Sequence, residues 1–522
     1  MSTAQRLLAV LSIVLGAIMS TGAIIATQNG EPEQRMQRAK QLTEQGNWKQ
    51  ASDIYAKLAL DPAVEGELAA RALNGQVQCQ MQLNRVDQLD ETLKAVLAAR
   101  PNDWQVLQSA AQLLMQTQHQ GIVADQKFTR GYSQRNGGVF IQTLEQDRLQ
   151  SLQWYLVAIE KAKQSGLADD SSKLGQLYLE FADTLILGRT GQQAWQLQAA
   201  TDLTASPNYL DLDAVGYAPA RFAPANDDVP VTYSVPGSWE ASVNDGQRYR
   251  WALSKVTGSK VTGKPEALAA LRRWADFLNS QFSVETLQQD MWFFQRPAGS
   301  SDKEQVDGIA AIHTLADDEA IAKLSTGIKR FKLADEFNPI HQYKLLAASE
   351  SKEYAEPALS VLYQTFLDRR QYPKAAAMMR ESIDRFGAGE QGYKLTQLNE
   401  IIQPRVSFDA AEAQVAGKPT ELSLRFRNAN QIEFTAWSVD VEKLFADTKQ
   451  AYRQLANQQK PNFGGVPDRY PPNLESPGEI FSRPEIDRYV KGQAANWQQA
   501  LEPRENHWDR RIQAKTPLVK AG

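Results

Sequence analysis

Gly46-Asn47-Trp48-Lys49-Gln50-Ala51, with Ile54, Tyr55 and Leu58 beyond it and Asp61-Pro62 at its end, is the stretch on which the fold turns. Before it, Met36, Ala39 and Leu42 recur at the spacing of one helix face. Gly46-Asn47 breaks that pattern, and Trp48, Ala51, Ile54, Tyr55 and Leu58 resume it until Pro62 stops it. The spacing predicts two antiparallel helices whose small and apolar residues interlock. A weaker copy follows: Leu73, Val77 and Met81 lead to the turn Leu83-Asn84-Arg85, then Val86, Leu89, Leu93, Val96 and Leu97 run to Pro101. Leu152, Tyr155, Leu156, Ile159 and Ala162 form another stripe, as do Leu268, Leu271, Ala275, Leu278 and Phe282. A late hairpin, Tyr363–Phe386, turns at Arg370-Gln371-Tyr372-Pro373-Lys374-Ala375. Such hairpins cannot bury their apolar faces alone, so stacking is expected.

The Gly46–Ala51 turn with Pro62 behind it resembles that of a tetratricopeptide repeat. The step from Pro62 to Pro101 exceeds the usual period of about 34 residues, so the resemblance implies an irregular array. Residues 27–215 are expected to form these repeats and 261–402 a second helical region. Between them, 216–260 is a proline-rich connector, since Pro219, Pro224, Pro230 and Pro236 exclude a continuous helix. Val231-Thr232-Tyr233-Ser234-Val235 alternates and is expected to be a short edge strand. Lys127–Gly138, polar and glycine-bearing, is expected to interrupt the helices.

The 522 residues suggest three or four domains. Hydrophobic residues are 42% and charged residues 23%, which excludes wholesale disorder. The balance of 57 basic against 61 acidic residues argues against a nucleic-acid partner. One cysteine excludes an intrachain disulfide and a multi-cysteine metal site, and His119, His313, His341 and His507 are too dispersed for a histidine metal motif. Arg6 precedes an apolar run, Leu7–Ala26, and Thr21-Gly22-Ala23 offers a cleavage site, so residues 1–26 are expected to be a signal peptide or an uncleaved membrane anchor. Everything after Thr27 is then expected beyond the membrane, in the periplasm or cell envelope.

After Ile402 the period changes. Leu422, Leu424 and Phe426 alternate with Ser423, Arg425 and Arg427, the pattern of a strand. Asn428-Ala429-Asn430 offers a hairpin turn and Gln431–Val439 the returning strand. Asp440 can cap a helix with the face Val441, Leu444, Phe445, Thr448, Tyr452 and Leu455. Pro461–Pro484 reads as an exposed loop and Arg510–Leu518 as a strand. Residues 403–522 thus look like an unfinished β domain.

Several stretches resemble the N-terminal region of large bacterial alpha-2-macroglobulin-like proteins of the planctomycete type. They are Gln146–Gln153, Ala194–Gln198, Pro230–Leu253 with Ser238-Trp239-Glu240 and Asp245-Gly246, Gly327–Phe331 and the expected hairpin Leu424–Asp440. The resemblance implies an exported protein whose full form continues into macroglobulin domains, which are fibronectin-like β-sandwiches, and whose role is to trap or inhibit proteases. On that reading the fold is mainly α, an irregular helical-hairpin solenoid followed by a partial β-sandwich with a helical and proline-rich insertion. The chain would end inside the first macroglobulin-like domain, as the non-catalytic scaffold of the trap in truncated form. The alternative is a stand-alone exported helical-repeat protein mediating protein–protein interaction in the envelope. Either way the partner is a protein, a protease or an envelope component, with no small-molecule substrate.

No enzyme is expected, and no catalytic, cofactor-binding or metal-binding residue is assigned. Cys79-Gln80-Met81-Gln82 has the cysteine-to-glutamine spacing of the family's thioester, but Leu73–Leu83 reads as helix, where a buried cysteine is a small hydrophobe. Ser300-Ser301-Asp302-Lys303 sets a serine three residues before a lysine, in a stretch that reads as loop. Asp317-Asp318-Glu319 reads as favourable charge at the start of a helix through Ile321 and Leu324.

Overall fold

The computed structural model describes residues 32–131, 138–210, 221–257, 264–290, 311–408, 423–434, 437–443, 445–446, 450 and 518–520. The apolar run Leu7–Ala26, Ser300–Lys303 and Pro461–Pro484 lie outside the described residues. Among the described residues no helix is long and apolar enough to cross a membrane. The chain is mainly helical and divides into two compact units, Met1–Ile402 and Gln403–Gly522.

The first unit opens with α1 (Pro32–Glu44), α2 (Trp48–Leu60), α3 (Gly66–Gln82), α4 (Leu89–Ala99) and α5 (Trp104–Gln116). Met36, Ala39, Leu42, Ala51, Tyr55, Leu58, Leu73 and Val77 are buried, as their spacing predicts. Met81 is 41% exposed instead. The buried face of α3 leaves through Cys79 and Gln80, whose amide donates to Thr92 Oγ1 at 2.8 Å. The hairpin turns end in left-handed residues, Gly46 at φ 77° and Asn84 at φ 57°. Mid-way along α3, Gly75 lets the Tyr55 ring lie against the helix; a Cβ there would sit 2.7 Å from the ring.

The series continues with α6 (Leu144–Gln164), α7 (Ser172–Ile186), α8 (Asp245–Thr257), α9 (Pro265–Phe282), α10 (Pro339–Ala347), α11 (Lys352–Asp368), α12 (Tyr372–Phe386) and α13 (Tyr393–Ile402). Pro265, Pro339 and Pro373 stand in first turns, where the missing N–H has no helical partner to lose. Asn338 caps α10 by accepting from Ile340 N at 2.9 Å. Among the described residues each helix packs chiefly on the helices before and after it, save that α3 also reaches past short α4 to α5. The apolar interior forms successive cores. α5 gives Val106, Ala110 and Leu113 to the N-terminal core and Trp104, Leu107 and Ala111 to the central one. α9 gives Ala270, Trp274 and Phe277 to the central core and Leu268, Leu271 and Ala275 to the next.

Small antiparallel sheets interrupt the helices where the sequence reading placed other structure. The polar stretch after His119 is a sheet: β1 (Gln120–Ala124) pairs with β2 (Lys127–Arg130) and with β3 (Val139–Gln142). Asp125 and Gln126, both at positive φ, make the tight turn that aligns β1 and β2. Val231–Val235 is not a strand. Its neighbours β4 (Ala225–Asn226) and β5 (Val229–Pro230) pair instead, while Tyr233 is buried over Gly246 and its carbonyl accepts from Arg250 Nε at 3.1 Å. The proline-rich connector also contains α8, which its proline count hides. Glu319 opens a strand rather than continuing a helix: β6 (Glu319–Leu324) pairs with β7 (Gly327–Lys332). Gly327, at φ 118°, closes the Ser325-Thr326 turn and supplies the partner strand that a helix would have lacked.

In the second unit β8 (Arg405–Phe408) pairs with β9 (Leu424–Arg427), and β10 (Trp437–Val439) pairs with β11 (Leu518–Lys520). Among the described residues the expected hairpin of Leu424 with Val439 is not formed: β9 pairs with β8 alone. The register that does form sets Val406 opposite Phe426, matching apolar with apolar. Asp440 Oδ1 accepts from Lys443 N at 3.0 Å, as a cap would. Leu422, Leu444, Thr448, Tyr452, Leu455 and all of Arg510–Leu518 except Leu518 lie outside the described residues.

Candidate functional site: two buried charge clusters on one helix

Asp147 and Arg148 are adjacent on α6, so their side chains leave the helix about 100° apart and enter two separate clusters. Both are fully buried. Asp147 receives His119 Nδ1 at 2.9 Å, Arg130 Nη1 and Nη2 at 2.8 Å each, Thr143 Oγ1 at 2.6 Å and Tyr209 Oη at 2.9 Å. The β1–β2 hairpin delivers Arg130, which also grips Asp90 at 2.7 and 2.9 Å and Gln118 O at 3.0 Å. Above the guanidinium, Phe128 and Tyr209 stack at 4.7 Å.

Arg148 turns the other way. It donates to Thr184 O at 3.0 Å and Leu185 O at 2.7 Å, carbonyls in the last turn of α7, and to Asp245 Oδ2 at 2.9 Å. Asp245, the first residue of α8, also pairs with Arg189 at 2.7 Å and Arg248 at 3.1 Å and accepts from Thr201 N at 2.9 Å. Glu145 completes the set by pairing with Arg189 at 2.6 Å. Carboxylates of Asp90, Asp147, Asp245 and Glu145 thus face guanidiniums of Arg130, Arg148, Arg189 and Arg248.

Burial works to raise the Asp147 carboxyl, but hydrogen bonds from His119 and Arg130 outweigh it and hold it below the usual carboxylate range. Burial of Asp245 is likewise outweighed by Thr201 and Arg148. Burial also lowers the Arg148 guanidinium, and nearby Arg189 adds to that. Both aspartates are therefore ionised and already surrounded by donors. They are suited to fixing the junction of α6, α7, α8 and the β1–β3 sheet, and unsuited to taking up a proton near neutrality.

A cleft of about 600 Å³ lies where the loops after α2, α4 and α6 converge, lined by Pro62, Gly66, Arg100, Asp103, Trp104 and Lys173 among others. Arg100 ties its walls together: it bonds Asp103 Oδ2 at 2.6 and 3.0 Å, Val64 O at 2.6 Å and Asp61 O.

The sequence motifs take up different places. Cys79 is buried on α3, 4.0 Å from Thr43 Oγ1, and burial pushes its thiol up. Asp317 pairs with Lys344 at 2.6 Å and with Lys374 at 2.5 Å. Among the described residues, no three His, Cys, Asp or Glu side chains are grouped to hold a metal ion. The residues that the motif reading passed over are Asp147, Arg148 and Asp245. They figure only within the resembling stretches Gln146–Gln153 and Pro230–Leu253; for the first two a further signal is position, charged residues between Leu144 and Leu149 in a helix that must bury one side.

No protein-family model matches the chain, and comparison with curated proteins gives no match.

Proposed function

We propose that the chain is the non-catalytic scaffold of an exported alpha-2-macroglobulin-like protease trap, built as an irregular α-solenoid whose second unit is part of a β-sandwich. The observation that carries the scaffold reading is the way each helix packs on its sequence neighbours, with α5 and α9 each shared by two cores. Such a body fixes shape and presents an extended surface to other proteins. The family assignment rests on the sequence resemblance of short stretches, some of which carry the buried charges. Gln146–Gln153 contains Asp147 and Arg148, Pro230–Leu253 contains Asp245, and Gly327–Phe331 lies in β7.

The test is an immunoblot of fractionated cells that make the protein, with antibody raised against this chain. A polypeptide several times larger than 58.2 kDa in the envelope fraction, releasing protease-bound complexes after protease treatment, is the expected result. A species of the chain's own mass in the envelope would move the assignment to the stand-alone interaction protein. A cytoplasmic location would remove both readings.

A further inference from the structure

Residues 199–210 run along α6 outside any helix or strand, and their burial alternates. Thr201, Leu203, Ala205, Pro207 and Tyr209 are half-buried, while Asp202, Thr204, Ser206, Asn208 and Leu210 are exposed. α6 holds the segment largely through its main chain. Gln153 Nε2 donates to Leu203 O at 3.0 Å and to Ala205 O at 2.8 Å, and Gln146 Oε1 accepts from Asn208 N at 3.1 Å. Two side chains anchor it: Tyr209, stacked on Phe128 and donating to Asp147 at 2.9 Å, and Thr201, whose hydroxyl donates to Asp245 Oδ2 at 2.5 Å and accepts from Arg148 at 3.0 Å and Arg189 at 3.2 Å. At the other end Arg248 donates to Thr201 O at 2.6 Å.

Carboxamides that read main-chain groups recognise any extended chain, whereas an aromatic slot ending in a carboxylate selects a tyrosine. We propose that the α6 face bounded by Gln146, Asp147 and Gln153, with Phe128 beside it, is a recognition surface for an extended polypeptide bearing a tyrosine, and that residues 199–210 occupy it as a displaceable strap. The strap has no ladder of its own; Ala199 and Thr201 are tied to the buried Asp245 cluster, whereas beyond Thr201 its order depends on α6, and that part belongs among those that open at lowest free energy. While it is seated, a competing segment sees only the small fraction of molecules in which the face is free. The inference concerns what this face binds, and it stands whether or not the chain belongs to a protease trap.

The full chain carrying Leu203→Ala and Tyr209→Ala keeps the α6 face intact and loosens the strap. A fluorescein-labelled peptide of residues 199–210 should bind this variant at least about tenfold more tightly than it binds the unaltered chain, because the face is no longer occupied. The same peptide carrying Tyr209→Phe should bind more weakly. Equal binding to both chains, or none to a variant that keeps its helical circular dichroism, overturns the proposal. Hydrogen exchange on the unaltered chain gives an independent reading that needs no variant. Amides of 202–210 should exchange together and before those of α6, and equal protection of the two would sink the idea.

Discussion

At the scale of single residues, the buried charges set the largest expected effects. Asp245→Asn leaves Arg148, Arg189 and Arg248 facing a neutral amide inside the protein, and should cost about 3–5 kcal/mol, measured by urea unfolding of the full chain. A loss below about 1 kcal/mol would mean water reaches the cluster. The pH dependence has two opposite parts. Asp147 and Asp245 have depressed values, so the stability they give is present above the ordinary aspartate value of about 4 and is lost as pH falls through their lower folded values. Exposed Glu285 and half-buried Asp368 are raised, by partial loss of hydration first and, for Glu285, by the nearby Asp368 charge, an effect that solvent weakens at Glu285. That pair therefore subtracts stability as pH rises from the ordinary carboxylate range through its folded values. Glu285→Gln should raise the melting temperature at pH 7 and leave it unchanged near pH 3. Cys79, buried with its thiol pushed up, should react with a thiol reagent only at the rate of unfolding; fast reaction in the native protein would place it at the surface.

At the scale of elements, Gly75 separates packing from propensity. Alanine is the better helix former, yet a Cβ at Gly75 would sit 2.7 Å from the Tyr55 ring. Gly75→Ala should destabilise by about 1–3 kcal/mol, and adding Tyr55→Leu should recover part of that loss in a double-mutant cycle. Additive effects would show that α2 and α3 are further apart. The helices α1–α4, α6, α9 and the α11–α12 hairpin were legible because their apolar residues repeat at helical spacing and turns carry Gly46 or Asn84, whereas α8 was hidden among prolines. The short sheets were not. β1–β2 depends on Asp125 and Gln126 adopting positive φ, and β6–β7 on a strand pair whose alanines carry no alternation to read. The pairing of β9 with β8, and of β10 with β11, joins strands distant in sequence, so a local turn signal at Asn428 pointed to the wrong partner. The charge clusters were hidden for the same reason: Asp147 and Arg130, or Arg148 and Asp245, meet only after the helices have stacked.

At the scale of the whole molecule, cohesion within the first unit passes from core to core along the sequence. Leu58→Ala, which removes a fully buried side chain from the N-terminal core, should speed hydrogen exchange in α1–α3 and leave α10–α13 unchanged. Uniform acceleration would mean the unit unfolds as one block. α5 and α9 each place buried side chains in two cores, and that has a mechanical meaning. Under tension applied at Pro32 and Ile402, these helices act as rivets between successive segments of a chain of links. Rupture should proceed in discrete extension steps, and stiffening either rivet should merge two neighbouring steps into one.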